Sequence, residues 1–321
     1  MTAAETGAET DVVAGAVTES GTGVDVSGGA VAGGPYLLVA GLAAGLAAVH
    51  AALLLVLHGR GDPVPFTTSR GEQALLVGSG VDAHDTVFTA AGNLGVAVVT
   101  LLVAALVPVA LRSVRAGSAR AALLLLGSVG YLLYAGATTA LGSAFGPLFL
   151  LEVAVVAAAL PAFVLAALAV ARPVLLATVH GPAYPRRPVG VFLLAASAVT
   201  AVVWAGPLVT ALLTGTAPPT LGPSTTMVTD VLDLAVIVPA ALVGGLLVLR
   251  RAPVGPLVAG PLLVLIAALL PSIVLGTVFQ IGAGIRFGAA EVAGPIGGFL
   301  VLGVVGVVLL SRLVAAVPPA S

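Results

Sequence analysis

Eight apolar stretches, each about as long as a bilayer is thick, constrain this chain more than any other feature. A helix needs about 20 apolar residues to cross the hydrocarbon. Only 8% of the residues are charged and 60% are hydrophobic, whereas soluble domains carry about 25% charged residues. The sequence therefore predicts an all-α fold, a polytopic transmembrane helical bundle. The expected spans are residues 36–57, 87–111, 121–141, 148–171, 189–213, 231–249, 257–281 and 294–315.

Residues 1–34 form a separate region, with five acidic residues, no basic residue and no sustained apolar period. That composition is typical of a disordered, solvated tail. The positively charged start of a signal peptide is missing. We expect an eight-helix transmembrane domain at residues 35–316, an outside loop at 58–86 and a short tail at 317–321.

The arginines orient the expected bundle. All twelve basic residues are arginine, and Arg60, Arg70 and Arg286 are the three that fall on the side of the 58–86 loop. The excess of positive charge in the other loops predicts that those loops and both termini are cytoplasmic. We therefore expect a multi-pass protein of the bacterial cytoplasmic (inner) membrane. The nine arginines on the predicted cytoplasmic side are Arg112, Arg115, Arg120, Arg172, Arg186, Arg187, Arg250, Arg251 and Arg312.

Polar side chains on several spans share nearly the same predicted depth. At 1.5 Å of rise per residue, Asp233, Asn93 and Glu152 lie roughly 25–30 Å above the nearest inner arginine. No ionisable group lies deep in the inner half of a span, where a proton or ion relay usually needs one. This pattern predicts a polar vestibule near the outer face. The candidate binding residues are Glu152, Asp233, Asn93, His50, Tyr134 and Gln280.

The outer carboxylates have two interpretations. We expect Asp230 at the interface and Asp233, one turn deeper, inside the bundle near Glu152 and Asn93. A shared site could serve proton coupling, cation binding or recognition of a basic ligand. Alternatively, these carboxylates are hydrated and only mark where the membrane ends.

Other chemistry has little support in the sequence. There is no cysteine, which excludes disulfides and thiolate sites. His50 and His58, or the acidic stretch at 81–85, could contact a cation, but neither has a third ligand at a diagnostic spacing. No catalytic or nucleotide-binding motif is present, and no basic run indicates nucleic acid. We therefore predict no metal and no cofactor.

Two weaker patterns concern packing. Asn93 and Asp233 each precede an apolar run that ends at arginines, so spans one to four could correspond to spans five to eight, as in carriers with parallel repeats. Gly41 and Gly45, and Gly294 and Gly298, have the spacing of small residues at close helix contacts.

Three short segments resemble a family of uncharacterised bacterial multi-span inner-membrane proteins. The segments are Tyr131-Leu-Leu-Tyr134, Phe145-Gly-Pro-Leu-Phe-Leu-Leu-Glu152 and Val231-Leu-Asp-Leu234. The resemblance covers about residues 85 to 310. It implies an inner-membrane protein and supplies no activity and no catalytic residues.

Three functions remain open from the sequence. The favoured hypothesis is a non-enzymatic protein with an outward-facing site for a small molecule or cation, used in transport or sensing. The second is an intramembrane enzyme in which Glu152, Asp233 and His50 converge for acid–base work. The third is a structural or accessory subunit of a membrane complex. The lipid bilayer is the one partner that the sequence identifies, and the oligomeric state is open.

Overall fold

The described part of the chain folds into eight long helices. The computed structural model describes residues 34–170, 184–218, 221–289 and 292–317. The expected acidic tail, except Gly34, and residues 318–321 lie outside the described residues. Within them, eight helices are long and apolar enough to span a membrane, which confirms the predicted all-α eight-span bundle. They are α1 (Pro35–Leu57), α2 (Val87–Arg115), α3 (Ala119–Gly142), α4 (Phe149–Val170), α5 (Arg186–Thr214), α6 (Val228–Leu249), α7 (Gly255–Gly282) and α8 (Gly297–Ala316).

Apolar side chains cover the outside of this bundle as well as its inside. Every one of the eight helices carries a large hydrophobic side chain that is more than 50% exposed. An aqueous surface of this kind would be strongly unfavourable, whereas lipid is the solvent that such a surface requires. The chain is therefore an integral membrane protein. One example from each helix, in order, is Leu38, Leu102, Leu141, Leu150, Leu212, Val231, Val278 and Val301.

Several helices extend beyond the spans that apolarity alone predicts. Helix α2 continues to Arg115, with Arg112 and Arg115 in its last turn, where positive charge stabilises the negative end of the helix dipole. Its first turn is capped by Thr86, whose hydroxyl accepts from the backbone N–H of Thr89. Helix α7 runs through Pro261 and Pro271 without interruption. The helices therefore include polar residues at their ends that lie outside the apolar, membrane-spanning part.

The eight helices pack as two groups of four. In the first half, α1 contacts α2 and α4, and α3 also contacts α2 and α4, around a core that includes Leu125, Leu126 and Tyr131. In the second half, α5 packs on α6, α6 on α7 and α7 on α8, while α8 touches α5 only lightly. Each half is therefore a ring of four consecutive helices, and the second ring is the looser one.

Helix α7 joins the two halves. It packs along both α2 and α3, and the hydroxyls of Tyr131 on α3 and Ser272 on α7 lie 3.1 Å apart. A Cβ placed on Gly95 would lie only 2.1 Å from the backbone nitrogen of Gly276, so glycine is required where α2 crosses α7. Helix α3, in contrast, contacts α6 mainly at the first turn of α6. A gap is left between α3 and α6.

The glycines that the sequence pattern selected are not the ones at the closest crossings. A Cβ on Gly45 or on Gly298 would meet no atom within 4 Å. A close crossing forms instead between Gly190 on α5 and Gly245 on α6, where a Cβ on Gly245 would lie 2.9 Å from the Gly190 carbonyl oxygen. Spacing within one helix does not identify a close contact, because the contact also needs a small residue on the partner helix.

The connections fall on two faces of the bundle. Arg120, at the start of α3, donates to the carbonyl oxygens of Ala315, in the last turn of α8, and of Val317, just beyond its end. This contact puts the start of α3 and the end of α8 on one face, as an alternating eight-span topology requires. We call it the arginine-rich face, because the described residues there include Arg112, Arg115, Arg120, Arg186, Arg187, Arg250, Arg251 and Arg312.

The opposite face carries a β-hairpin in the α1–α2 connection, and we call it the hairpin face. Strands β1 (Val64–Thr67) and β2 (Gln73–Leu76) pair antiparallel. Arg70, at the tip of the hairpin, donates to the carbonyl oxygens of Gly222 and Ser224. These bonds connect the hairpin to the α5–α6 connection. The long α1–α2 loop thus reaches from the first half of the bundle to the second.

Candidate binding vestibule

A cavity of about 480 Å³ occupies the gap between the two halves. Its walls come from α2 and α3 of the first half and from all four helices of the second. Ser224 in the α5–α6 connection and Phe287 in the α7–α8 connection also line it, so it lies at the hairpin face. We call this cavity the vestibule. The six candidate residues of the sequence divide between the vestibule and the first half.

Asp233 is held on the vestibule wall by two hydrogen bonds. The Tyr134 hydroxyl donates to Oδ1 and the Trp204 indole Nε1 donates to Oδ2, both at 2.8 Å. Only 7% of Asp233 is exposed. The prediction that Asp233 faces the bundle interior is therefore confirmed, and Tyr134 lies beside it. The three side chains come from α3, α5 and α6, so the arrangement needs both halves of the fold.

The helix around Asp233 has an unusual local form. Residues Asp233–Ile237 make a π-helical turn, and the backbone N–H of Val238 bonds to the Asp233 carbonyl. Pro239, which follows directly, has no N–H to continue the α-helical pattern. Single π turns within α-helices occur frequently at functional sites. The turn places Asp233 at a point where the helix is already locally widened.

Asp230 is a further vestibule residue that the sequence analysis did not select as a binding candidate. It was expected at the membrane interface, and it is only 6% exposed and lines the vestibule together with Asp233. The two residues are three apart, a spacing that puts side chains on the same face of a helix. Two carboxylates therefore face the vestibule from α6.

Two amide side chains complete the polar wall. Gln280 on α7 is buried, and its Nε2 donates to the carbonyl oxygen of Phe88 on α2. Asn93 donates from Nδ2 to the Ser143 hydroxyl at 3.1 Å. Asn93 also borders two small cavities of the first half. It is the point at which the vestibule and the first half come closest through polar groups.

Glu152 and His50 lie apart from the vestibule. Oε1 of Glu152 is 3.3 Å from Nε2 of His50, and both side chains are largely buried between α1 and α4. Glu152 borders a cavity of about 10 Å³ and His50 one of about 20 Å³. Spaces of that size hold at most a water molecule or so. The expectation that Glu152 and Asp233 share one site is therefore wrong, because packing of α1 on α4 gives Glu152 a histidine partner.

The same geometry bears on the enzyme hypothesis. Acid–base work by Glu152, Asp233 and His50 needs the three side chains around one space. The structure brings Glu152 and His50 together and places Asp233 on the wall of a different cavity. The arrangement that motivated an intramembrane enzyme is not formed.

Further acids of the hairpin face lie near Glu152. Asp82 accepts from the Gly59 N–H at 3.0 Å, and its Oδ2 lies 2.5 Å from Nδ1 of His58. Asp85 accepts from the backbone N–H of Ala144. Burial raises the pKa of Asp85 to about 6, and the negative charges of Asp82 and Glu152 add to the effect.

These residues form a first-half cluster, composed of His50, His58, Asp82, Asp85 and Glu152. Of the residues that the sequence marked as possible cation contacts, His58 pairs with Asp82 and His50 pairs with Glu152. Among the described residues, no group of three or more His, Cys, Asp or Glu is arranged to hold a metal ion.

Trp204 lines the vestibule and is not among the six candidates of the sequence analysis. A signal for it was available, since Trp204 lies 17 residues after Arg187 and Asp233 lies 17 residues before Arg250. Both therefore stand roughly 25 Å above the arginine-rich face. Phe299 on α8, whose ring centroid is 5.7 Å from that of Trp204, was also missed. An aromatic residue within an apolar span does not stand out from its neighbours as a polar residue does, so the sequence alone does not mark it as a site residue.

Comparison with known proteins identifies no relative from which a function could be inferred. No protein-family model, curated protein or solved structure matches this chain.

Proposed function

We propose that this integral membrane protein binds a small molecule or ion in the vestibule from the outer side of the membrane, in transport or sensing. The observation that carries the proposal is a cavity of about 480 Å³ with a fixed buried carboxylate, Asp233, on its wall. Ligand sites are typically clefts of about 300–1,000 Å³ with apolar walls and a few placed polar groups. The vestibule has that size and that composition.

The orientation of the vestibule follows from charge. The arginine-rich face carries most of the basic residues, and basic loops remain on the cytoplasmic side of a membrane. The vestibule lies at the opposite face, so in this orientation it opens to the outside of the cell. A bacterial inner membrane is the location that this arrangement and the family resemblance of the sequence favour.

A second cavity favours transport over sensing. It has a volume of about 50 Å³ and also borders Asp233, but extends past it between α5, α6 and α7. Two hydroxyl groups lie on its wall: Thr200 and Ser197, about one and two helical turns deeper on α5 than Trp204. Asp233 therefore stands between the open vestibule and a narrow space that leads toward the arginine-rich face. A carrier needs a binding residue at such a position, because the ligand must be reached from both sides in turn.

A single cysteine tests the proposal. The chain has no cysteine of its own, and Ser224 is an exposed residue that lines the vestibule. We expect Ser224→Cys on intact cells to react with a membrane-impermeant maleimide, and a bound small molecule to slow the reaction. Ser118→Cys, at the arginine-rich start of α3, is the matched control and should react only after the cells are opened.

Two results would contradict the proposal. Reaction at Ser118→Cys on intact cells would reverse the orientation. A failure of every compound in a broad library of small molecules and ions to slow the reaction at Ser224→Cys would remove the binding function.

A further inference from the structure

The vestibule holds two acidic side chains, Asp230 and Asp233, and no basic one among its described lining residues. Buried charges in proteins are normally paired. The ion pairs found in the described part of the chain are His50–Glu152, His58–Asp82 and Arg70–Glu72. Neither vestibule carboxylate belongs to one of them.

The hydrogen bonds of Asp233 leave room for a ligand. An ionised carboxylate offers about four acceptor positions on its two oxygens. The Tyr134 hydroxyl and the Trp204 indole N–H occupy one position on each oxygen. Both donors are neutral, so they fix the direction of the carboxylate without cancelling its charge. The remaining positions suit a positively charged group, which an ammonium N–H would meet as a donor and a quaternary ammonium through its charge alone.

Four aromatic rings line the vestibule, and two of them lie close to Asp233. Trp204 and Phe299 form one pair of rings, and Phe88 and Phe287 form another with centroids 6.4 Å apart. All four line the vestibule. Aromatic faces attract cations through the ring quadrupole, and they are used to recognise organic ammonium groups. A metal ion would require oxygen or nitrogen ligands on several sides, whereas the vestibule places its two carboxylates on one helix, α6.

We infer that the ligand of the vestibule is an organic cation, an amine or quaternary ammonium compound, with Asp233 and Asp230 as its counter-charges. This inference rests on the proposed function, since it names the ligand class of the same site. The ammonium group lies against the Asp233 carboxylate, and its apolar substituents lie against the rings of Trp204 and Phe299. Organic amines are the class of compound that provides both the charge and the apolar surface.

Matched probes test the charge requirement. The full-length protein in nanodiscs of neutral phosphatidylcholine is titrated with phenethylamine and tetraethylammonium, with the neutral counterpart 2-phenylethanol, and with calcium chloride alone. We expect the two cations to bind and the alcohol to bind at least about tenfold more weakly than phenethylamine, because a buried charge pair is lost. Asp233→Asn should weaken phenethylamine binding at least about tenfold and leave the alcohol unchanged.

The control and the second variant keep the result interpretable. Asp62→Asn removes one negative charge from an exposed position of the hairpin connection, and it should bind phenethylamine as the wild type does. Asp230→Asn should weaken phenethylamine binding several-fold, and it carries the test if Asp233→Asn does not fold.

Three outcomes would overturn the inference. The alcohol could bind as tightly as the amine, with no effect of Asp233→Asn, in which case the site exists but takes neutral ligands. Calcium alone could bind in an Asp233-dependent manner, which would make the site a metal site. The third outcome is that neither phenethylamine nor tetraethylammonium binds, which would exclude this ligand class. The protection of Ser224→Cys by other compounds would then still decide the proposed function separately.

Discussion

The two halves of the bundle each bury a carboxylate near the hairpin face, and they treat it differently. Glu152 in the first half is 8% exposed and Asp233 in the second is 7% exposed. Glu152 lies against His50 beside spaces no larger than a water molecule or so. Asp233 is held by two neutral donors on the wall of a large cavity. The two carboxylates are therefore equally buried, and they differ in their partners: a histidine for Glu152 and two neutral donors for Asp233.

The difference originates in the packing of the two rings. The first ring is closed by α1 against α4, which brings His50 to Glu152. In the second ring, α8 touches α5 only lightly, and α3 meets α6 only near its first turn. The space left between the halves becomes the vestibule. The closed ring pairs its acid with a histidine, while the open ring leaves its two acids without a basic partner among the described residues that line the vestibule.

The largest effect is expected where the two halves meet. Gly95→Ala puts a methyl group against the backbone of Gly276, and α2 and α7 must separate to accept it. We expect a loss of about 3 kcal/mol or more in the free energy of unfolding, because backbone atoms cannot move aside as a flexible side chain can. Gly45→Ala, which meets no atom within 4 Å, is the matched control. Equal thermal stability of the two variants in detergent would show that the crossing is not tight.

Neutralising Glu152 should lower the stability of the protein more than neutralising Asp233. Glu152→Gln removes half of a buried pair and should cost about 2 kcal/mol of stability. Asp233→Asn removes a carboxylate that has no basic partner, which relieves desolvation, but the amide nitrogen cannot accept from one of the two donors, Tyr134 and Trp204. The two effects offset each other, so the net cost should be below about 1 kcal/mol. Thermal unfolding of both variants without ligand measures the contrast. A larger loss for Asp233→Asn would break the comparison between the halves.

The first half should also show a pH dependence of its own. The pKa of Asp85 is raised from its usual value of 3.8 to about 6 by burial, so the folded protein keeps this proton where the unfolded chain releases it. Stability should therefore fall as pH rises from about 4 to about 6, by on the order of 1–2 kcal/mol, and change no further through this group above that range.

Asp85→Asn should remove this part of the pH dependence. The titratable neighbours Asp82, Glu152 and His84 remain in the variant, so the difference between wild type and variant isolates Asp85. Identical pH profiles of thermal unfolding for the two proteins would contradict the buried, protonated state of this acid.

The smallest effect concerns the hairpin. Arg70→Gln removes the bonds to the carbonyl oxygens of Gly222 and Ser224. Because Arg70 is partly exposed, the loss in global stability should be below about 1 kcal/mol. Hydrogen exchange should nevertheless become faster at residues 221–224, next to the vestibule. Asp62→Asn, which is exposed on the same connection, should leave that exchange rate unchanged.

The spans could be predicted from the sequence because lipid selects for apolarity and length, and both are local properties. Depth could also be predicted by counting from the arginines, which placed Asp233, Asn93 and Glu152 near one level; Asp233 and Asn93 line the vestibule, whereas Glu152 borders a different cavity. The same count applies to Trp204, and helical spacing applies to Asp230. Both were within reach of the sequence.

The pairing within the first half was not within reach. His50 and Glu152 are 102 residues apart, and they meet because α1 packs on α4. His58 and Asp82 meet because the hairpin folds the 58–86 connection back on itself. Which helices lie side by side, and how a loop folds, depends on contacts between segments that are distant in the sequence. A single sequence gives the depth of a side chain along its helix, but it does not show which residue lies opposite.

The central claim is that the vestibule is reached from outside while the small cavities of the first half are not. Two threonines on different walls test it most directly: Thr277 lines the vestibule, and Thr139 lines the small cavities beside Glu152. Each is replaced by cysteine in the otherwise cysteine-free chain, and intact cells are treated with a small membrane-impermeant thiosulfonate. We predict that Thr277→Cys reacts readily and that Thr139→Cys reacts only after denaturation. Equal reaction rates at the two positions, or faster reaction at Thr139→Cys, would contradict the account.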